Sequence, residues 1–183
     1  GISGAAAAPG DRIILTGSVG DHGTAVMLAR EKLLEGGEAI ASDAAPLTEL
    51  VLRLIESDCA VHAMRDPTRG GIAGSLNEIA RQSQVSMEVE EALIPVKPAV
   101  AAACEALGLD VFKVANEGKM LIIVAPEDAS RALELVKGSR YGAEARIIGA
   151  VGAQPAGRVT VRTTIGTARL LDPPSGDLLP RIC

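Results

Sequence analysis

The chain has 183 residues, which suits one domain with a substantial core. Its 48% hydrophobic content includes only one Phe, one Tyr and no Trp, so stacking platforms for single-stranded nucleic acid are absent. The net charge of −5 disfavours a polyanion-binding surface, and no apolar run approaches a membrane span, so a soluble, cytoplasmic protein that binds neither nucleic acid nor membrane is expected.

The three cysteines, Cys59, Cys104 and Cys183, are odd in number and widely spaced. They form no disulfide framework, and Cys59 and Cys104 read as small buried hydrophobes in a reducing compartment. His22 and His62 lie far apart without a Cys/His ligand pair, so no metal site is expected from them.

In chain order, residues 1–8 (Gly1-Ile2-Ser3-Gly4 and four alanines) read as a linker remnant, and the main domain is expected over residues 9–172. Pro9-Gly10-Asp11 is turn chemistry, and Arg12-Ile13-Ile14-Leu15-Thr16 reads as a buried strand. Gly17 to Gly23 leads into a helix through Val26, Leu28, Ala29, Leu33 and Leu34. A strand, a glycine-rich loop and a helix N-terminus make a candidate anion cradle. The glycine spacing fits neither the dinucleotide fingerprint nor the P-loop, and a tight structural turn accounts for it equally well.

A second loop, Ser42 to Pro46, precedes a helix expected over Leu47–Ser57. Val61-His62-Ala63-Met64 is a short strand that delivers the densest chemical cluster, Arg65-Asp66-Pro67-Thr68-Arg69-Gly70-Gly71. Ile72, Leu76, Ile79 and Ala80 then mark one face of a further helix. Asp66 is able to bind Mg²⁺ or cap that helix, and Thr68 to cap it. Arg69 offers a planar fork matched to phosphate oxygens, while Gly70 and Gly71 permit close approach of a ligand to the backbone.

Val85–Val89 alternates as a half-buried strand, and Pro98 opens a helix through Val100, Ala103, Cys104 and Leu107 that Gly108 stops. Val111–Val114 and Met120–Val124 are expected to form a hairpin joined by Ala115-Asn116-Glu117-Gly118-Lys119. Asn and Gly suit that turn, but turn chemistry does not call for a Glu. If the turn faces a pocket, Glu117 is a candidate general base. A helix from Pro126 to about Gly138 and strands at Ala145–Ile148, Val159–Val161 and Ala168–Leu171 complete the pattern. Strands alternating with helices, and a strand-rich end, predict an α/β fold with a mixed sheet covered by helices.

Residues 173–183 read as a mobile tail, punctuated by Pro173, Pro174, Gly176 and Pro180 and ending in a thiol, Cys183. A thiol with no chain beyond it can enter a narrow site.

Gly20-Asp21-His22-Gly23, Arg65–Gly71, Leu76-Asn77-Glu78-Ile79-Ala80, Ala115–Lys119 and the terminal Pro180-Arg181-Ile182-Cys183 together resemble the hydrogenase maturation factors of the HypE family. That family sits within the superfamily of aminoimidazole ribonucleotide synthetase and selenophosphate synthetase. Val111 and Ala44 depart from it where proline and cysteine are common. The resemblance implies that this chain is a C-terminal domain alone, without the N-terminal half that holds much of the ATP and Mg²⁺ site and forms the homodimer. It also implies a carbamoyl dehydratase. Cys183 would receive a carbamoyl group from HypF, ATP would phosphorylate the carboxamide oxygen, and a base would remove the amide protons to give a thiocyanate. The cyano group would pass to the HypC–HypD complex and become a ligand of the [NiFe] centre. On this reading Cys183 and Glu117 are catalytic, and Asp66, Thr68, Arg69, Gly70, Gly71 and Asn116 bind ATP or its phosphates. Two other readings remain open at this level: another ATP-dependent synthetase of the superfamily, and a non-catalytic carrier or docking module.

Overall fold

In the computed structural model, which describes residues 1–30 and 40–174, the sheet is organised around Leu121-Ile122-Ile123-Val124. All four side chains are buried, as expected of a strand covered on both faces. Seven strands are present among the described residues: β1 (Arg12–Leu15), β2 (Val61–Arg65), β3 (Ser86–Glu90), β4 (Leu121–Val124), β5 (Arg146–Gly152), β6 (Val159–Arg162) and β7 (Ala168–Leu170). They form one sheet in the order β2-β4-β1-β5-β3-β6-β7. Pairing is antiparallel except between β3 and β6, so the sheet is mixed, as expected.

The helices are α1 (Asp21–Arg30), α2 (Thr48–Ile55), α3 (Gly71–Ser83), α4 (Pro98–Leu107) and α5 (Ala129–Lys137). The period of two sorts the strand residues between two cores. Ile13, Leu15, Leu121 and Ile123 join Ile72, Leu76 and Ile79 of α3 on one face. Ile14, Ile122 and Val124 join Leu50 and Leu54 of α2 and Ala129, Ala132 and Val136 of α5 on the other. Gly108 ends α4 in the left-handed conformation expected of a glycine stop. Leu33 and Leu34, expected in the first helix, lie outside the described residues.

Two expectations change. Val111–Lys113 is a 3₁₀ turn rather than a strand, so Asn116 and Glu117 do not sit in a β-hairpin. The Asp110 carboxylate accepts from the Phe112 N–H at 3.1 Å, which closes the turn locally, and the Phe112 ring is buried in the core beneath α3. Residues 1–8, expected as a linker remnant, lie against the fold. The Ser3 N–H donates to the His62 carbonyl at 2.9 Å, the Ser83 hydroxyl donates to the Gly4 carbonyl at 3.0 Å, and Ala7 is buried.

The position of each residue in this sheet sets its weight. Ile122→Ala, in the interior strand β4, is expected to cost about 3–4 kcal/mol of unfolding free energy in urea titration, through lost burial and the cavity left behind. Ile165→Ala, where the side chain is 84% exposed, is expected to change it by less than about 0.5 kcal/mol.

Cys59 and Cys104 are both buried, as expected. Burial pushes the Cys104 thiol up from its ordinary value. A raised folded pKa means that the stabilisation is complete below the unfolded thiol's pKa and is lost as pH rises through the folded value. Stability should therefore fall as pH rises above the ordinary thiol value of about 8.5, and less steeply in Cys104→Ala, as read from thermal midpoints in that alkaline range.

Candidate functional site

Strand β2 ends at Arg65, and the chain then crosses to α3 through Asp66–Gly70. Arg65, Asp66, Thr68, Arg69 and Ser75 line an open pocket of about 380 Å³, and Glu117 faces them across it. The sequence-predicted base and three residues of the predicted phosphate loop, Asp66, Thr68 and Arg69, thus meet at one place. Arg65 and Ser75 belong to it as well, though neither was singled out from the sequence. Arg65 carried a usable signal, since it is the strand-end cation that opens the loop.

Alpha-helix α3 begins at Gly70, whose φ of 72° lies in the left-handed region, and no side chain caps it. Neither Asp66 nor Thr68 is consumed as a cap, so the first-turn N–H groups and the positive end of this 13-residue helix stand beside the pocket without a side-chain acceptor. The Ser75 hydroxyl donates to the Asp66 carbonyl at 3.3 Å and steadies the loop. Arg65 pairs with Glu78 at 2.9 Å, whereas Arg69 has no ion-pair partner among the described residues.

Asn116 has a different role from the one expected. It is completely buried and does not line the pocket. Its side-chain oxygen accepts from the Gly20 N–H at 2.8 Å, and its amide nitrogen donates to the Pro67 and Val114 carbonyls at 3.2 and 2.9 Å. The amide is occupied in joining three segments, and no donor is left for a ligand. Gly70 and Gly71 also differ from expectation. A Cβ on Gly71 would lie 2.5 Å from the Phe112 carbonyl oxygen and 2.6 Å from that of Val114. One on Gly70 would lie 2.7 Å from Pro174 Cγ. At both glycines the close approach is made by the protein's own atoms.

Glu117 is held through its backbone. Its N–H donates to Asp43 Oδ1 at 3.3 Å, and the buried Asp43 carboxylate faces the Lys119 ammonium at 3.1 Å. A Cβ on Gly118 would collide with the Asp43 carbonyl oxygen, which accounts for the glycine. The Glu117 carboxylate itself makes no hydrogen bond or ion pair among the described residues.

The Gly17–Gly23 loop is structural. Its Val19 and Gly23 N–H groups donate to the Pro95 and Ala115 carbonyls at 3.0 Å, and its Gly20 N–H to Asn116. The buried Asp21 accepts from the Ser18 hydroxyl at 2.6 Å and pairs with Lys97 at 2.8 Å. That hydrogen bond raises the Lys97 pKa. The N–H groups of Val19, Gly20 and Gly23 are therefore taken up by the protein's own acceptors rather than open to an anion. Among the described residues no group of three His, Cys, Asp or Glu side chains is placed to hold a metal ion, and Asp66 is the pocket's acidic group beside Glu117. No helix is long and apolar enough to cross a membrane. Cys183 lies outside the described residues.

The model of the AIR synthase related protein C-terminal domain matches residues 8–162. The carbamoyl dehydratase HypE of Rhizobium leguminosarum bv. viciae is 51% identical over 179 residues, which is 97% of this chain and 51% of that protein. A crystal structure of the hydrogenase maturation protein HypE in complex with ATP superposes with a TM-score of 0.93 at 41% identity, covering 100% of this chain and 55% of that one. A HypE–HypF complex gives a TM-score of 0.89 at 43% identity, with 94% and 56% covered. The chain spans about half the length of the curated relatives it matches.

The contrast between Asn116 and Glu117 is measurable. Asn116→Ala leaves the Gly20 N–H and the Pro67 and Val114 carbonyls without this partner, and is expected to cost about 2–4 kcal/mol in chemical unfolding. Glu117→Gln, which breaks no such bond, is expected to stay within about 0.5 kcal/mol of the unsubstituted protein.

Proposed function

This chain belongs to the AIR synthase related protein C-terminal domain family, and on that premise we propose that it forms the C-terminal half of an ATP-dependent carbamoyl dehydratase of hydrogenase maturation. The observation that carries the reading is the pocket lined by both Glu117 and Arg69, whose carboxylate and guanidinium have no ion-pair partner among the described residues. The similarity to HypE proteins at about half their length supports the chemistry proposed for it.

The Cys183 thiolate carries a carbamoyl group as an S-carboxamide. The γ-phosphoryl group of ATP passes to the carboxamide oxygen, releasing ADP and turning a poor leaving group into phosphate. One amide proton is lost to solvent as the oxygen is phosphorylated, and Glu117 accepts the remaining N–H proton while the C–O bond breaks, so the carbon and nitrogen become a nitrile on sulfur and inorganic phosphate departs. Arg69, together with the uncapped N-terminus of α3, stabilises the charge on the transferring phosphoryl oxygens. Arg65 is committed to Glu78 and frames the pocket. Thr68 and Asp66 line the same pocket, and on this reading the Thr68 hydroxyl donates to a phosphate oxygen.

The residues present suit the phosphate end of ATP. They do not by themselves suit Mg²⁺, because Asp66 lacks the further acidic ligands a hard cation takes. The N-terminal half of the protein supplies those ligands and the remaining nucleotide contacts. In that assembly the partners are HypF, which loads the thiol, a HypC–HypD complex, which receives the cyano group, and a second copy of the full-length protein. The relative solved with HypF supports the first of these. A soluble protein of the cytoplasm fits this set of partners.

The test uses the protein joined to its N-terminal half, with HypF, carbamoyl phosphate and ATP. Glu117→Gln is expected to load Cys183 normally but to slow dehydration by about 10²–10⁴-fold, since an amide cannot accept the proton. Cys183→Ala is expected to abolish loading, whereas Cys59→Ala and Cys104→Ala retain it. Peptide mass spectrometry distinguishes carboxamide from nitrile by loss of water. Normal nitrile formation in Glu117→Gln, or a label on Cys59 or Cys104, overturns the assignment.

A further inference from the structure

The last residue held by the sheet edge is Leu171. Its side chain is buried, and its N–H donates to the Val159 carbonyl at 2.9 Å. Its carbonyl is held from outside the sheet. The buried Asn77 of α3 donates to it at 2.6 Å and donates its second amide hydrogen to the Ala73 carbonyl at 2.9 Å. A buried amide in a helix core face contributes no apolar packing, so its use lies in what it bonds. Here it fixes the peptide plane between Leu171 and Asp172, and with it the direction in which the chain leaves the sheet.

Pro173 and Pro174 follow, each with a locked φ, so that direction is carried forward stiffly. The Pro174 ring then rests on a face of α3 that has no side chains. A Cβ on Gly70 would approach Pro174 Cγ to 2.7 Å, and one on Gly74 would stand 4.0 Å from Pro174 Cδ. A Cβ on Gly74 would also meet the Arg69 carbonyl oxygen at 2.7 Å. The chain is thus led across α3 to Gly70, the residue that adjoins the pocket's Arg69.

We propose that Asn77, with the bare face at Gly70 and Gly74, is a positioning seat that fixes where and in what direction the C-terminal segment leaves the fold, at the rim of the Arg69–Glu117 pocket. The catalytic consequence rests on the function proposed above; the seat itself does not. From Pro174 to Cys183 there are nine residues, with a reach of about 30 Å when extended. An arm that starts at the rim presents its thiol to the pocket at a high effective concentration. An arm released in an arbitrary direction divides its time over the surrounding solvent.

Distance measurement between spin labels tests the seat without any catalysis. One label is placed on Cys183 of this chain and the other on Glu105→Cys, an exposed position of α4, with buried Cys59 and Cys104 left unlabelled. Asn77→Leu is expected to broaden the distance distribution and shift its mean by about 3–5 Å, as added freedom at residues 171–174 implies for a flexible chain. Pro173→Gly with Pro174→Gly removes the stiff link without touching the core, and is expected to act in the same direction even if Asn77→Leu proves poorly folded. Unchanged distributions in the proline variant, or in a folded Asn77→Leu, overturn the seat.

In the protein joined to its N-terminal half, Asn77→Leu is expected to slow single-turnover dehydration of loaded Cys183 about tenfold, with loading by HypF and the KM for ATP unchanged. Altered distances with an unaltered dehydration rate overturn the positioning role. Absence of dehydration in the unsubstituted protein counts instead against the proposed function and leaves the distance result standing.

Discussion

The site depends on one buried amide. Asn116 joins the Gly20 N–H, the Pro67 carbonyl and the Val114 carbonyl at 2.8–3.2 Å. These groups lie on a loop before α1, on the loop before α3 and on the segment that carries Glu117. None of the three segments has regular structure of its own at that point. The Pro67 carbonyl also accepts from the Asn116 backbone N–H at 3.1 Å, but the Gly20 N–H and the Val114 carbonyl would lose this partner, at a cost of about 1–3 kcal/mol for each group left unsatisfied. One side chain with an acceptor and two donors satisfies all three and sets their spacing. Glu117, the next residue along, takes its place in the pocket from that arrangement.

Alpha-helix α3 serves three purposes through different parts of its surface. Ile72, Leu76 and Ile79 face the sheet core, which fixes the helix as a rigid body. Its N-terminus, left without a side-chain cap, lies beside the Arg65–Gly70 loop that lines the pocket. Asn77 and the face at Gly70 and Gly74 receive the start of the C-terminal segment. The two glycines that look from the sequence like an opening for a ligand are required by the protein's own packing. Positive φ at both positions and backbone or proline atoms within 2.7 Å of the missing Cβ leave no room for another residue.

Much of this was legible in the sequence, and what was not has physical reasons. Leu121–Val124 is a strand because four consecutive apolar residues fit a position covered on both faces. Val111-Phe112-Lys113-Val114 looks similar over the same length, yet Asp110 closes it into a turn and Phe112 is drawn under α3. Periodicity over four residues cannot separate these outcomes. The Arg65–Gly71 loop and Glu117 stood out because capping and turn geometry did not need their charges. Asn116 did not reveal its role. Asparagine suits a turn as readily as a ligand site, and its partners lie 49 and 96 residues away along the chain. The significance of Asn77 was hidden for the same reason, since its partner Leu171 is 94 residues distant.

The separation of charge in the pocket follows from how each group is tethered. A carboxylate and a guanidinium free to move in one small space would pair and neutralise each other, which would remove both a base and a phosphate-binding cation. Here the backbone of Glu117 is fixed through Asp43 and Lys119 on one side. The turn that carries Arg69 is fixed on the other by Gly70 and Gly71, against Pro174 and the 112–114 backbone. Arg65, the other cation lining the pocket, is taken by Glu78 at 2.9 Å. Among the described residues the acid and the cation therefore both remain unpaired, and the fold has already met the cost of holding them so. Such preorganisation suits a reaction in which negative charge builds on phosphoryl oxygens while a proton leaves a neighbouring nitrogen. It also explains why rigid packing surrounds an open pocket. The supporting contacts are backbone bonds and buried pairs behind the site, so the pocket itself stays open.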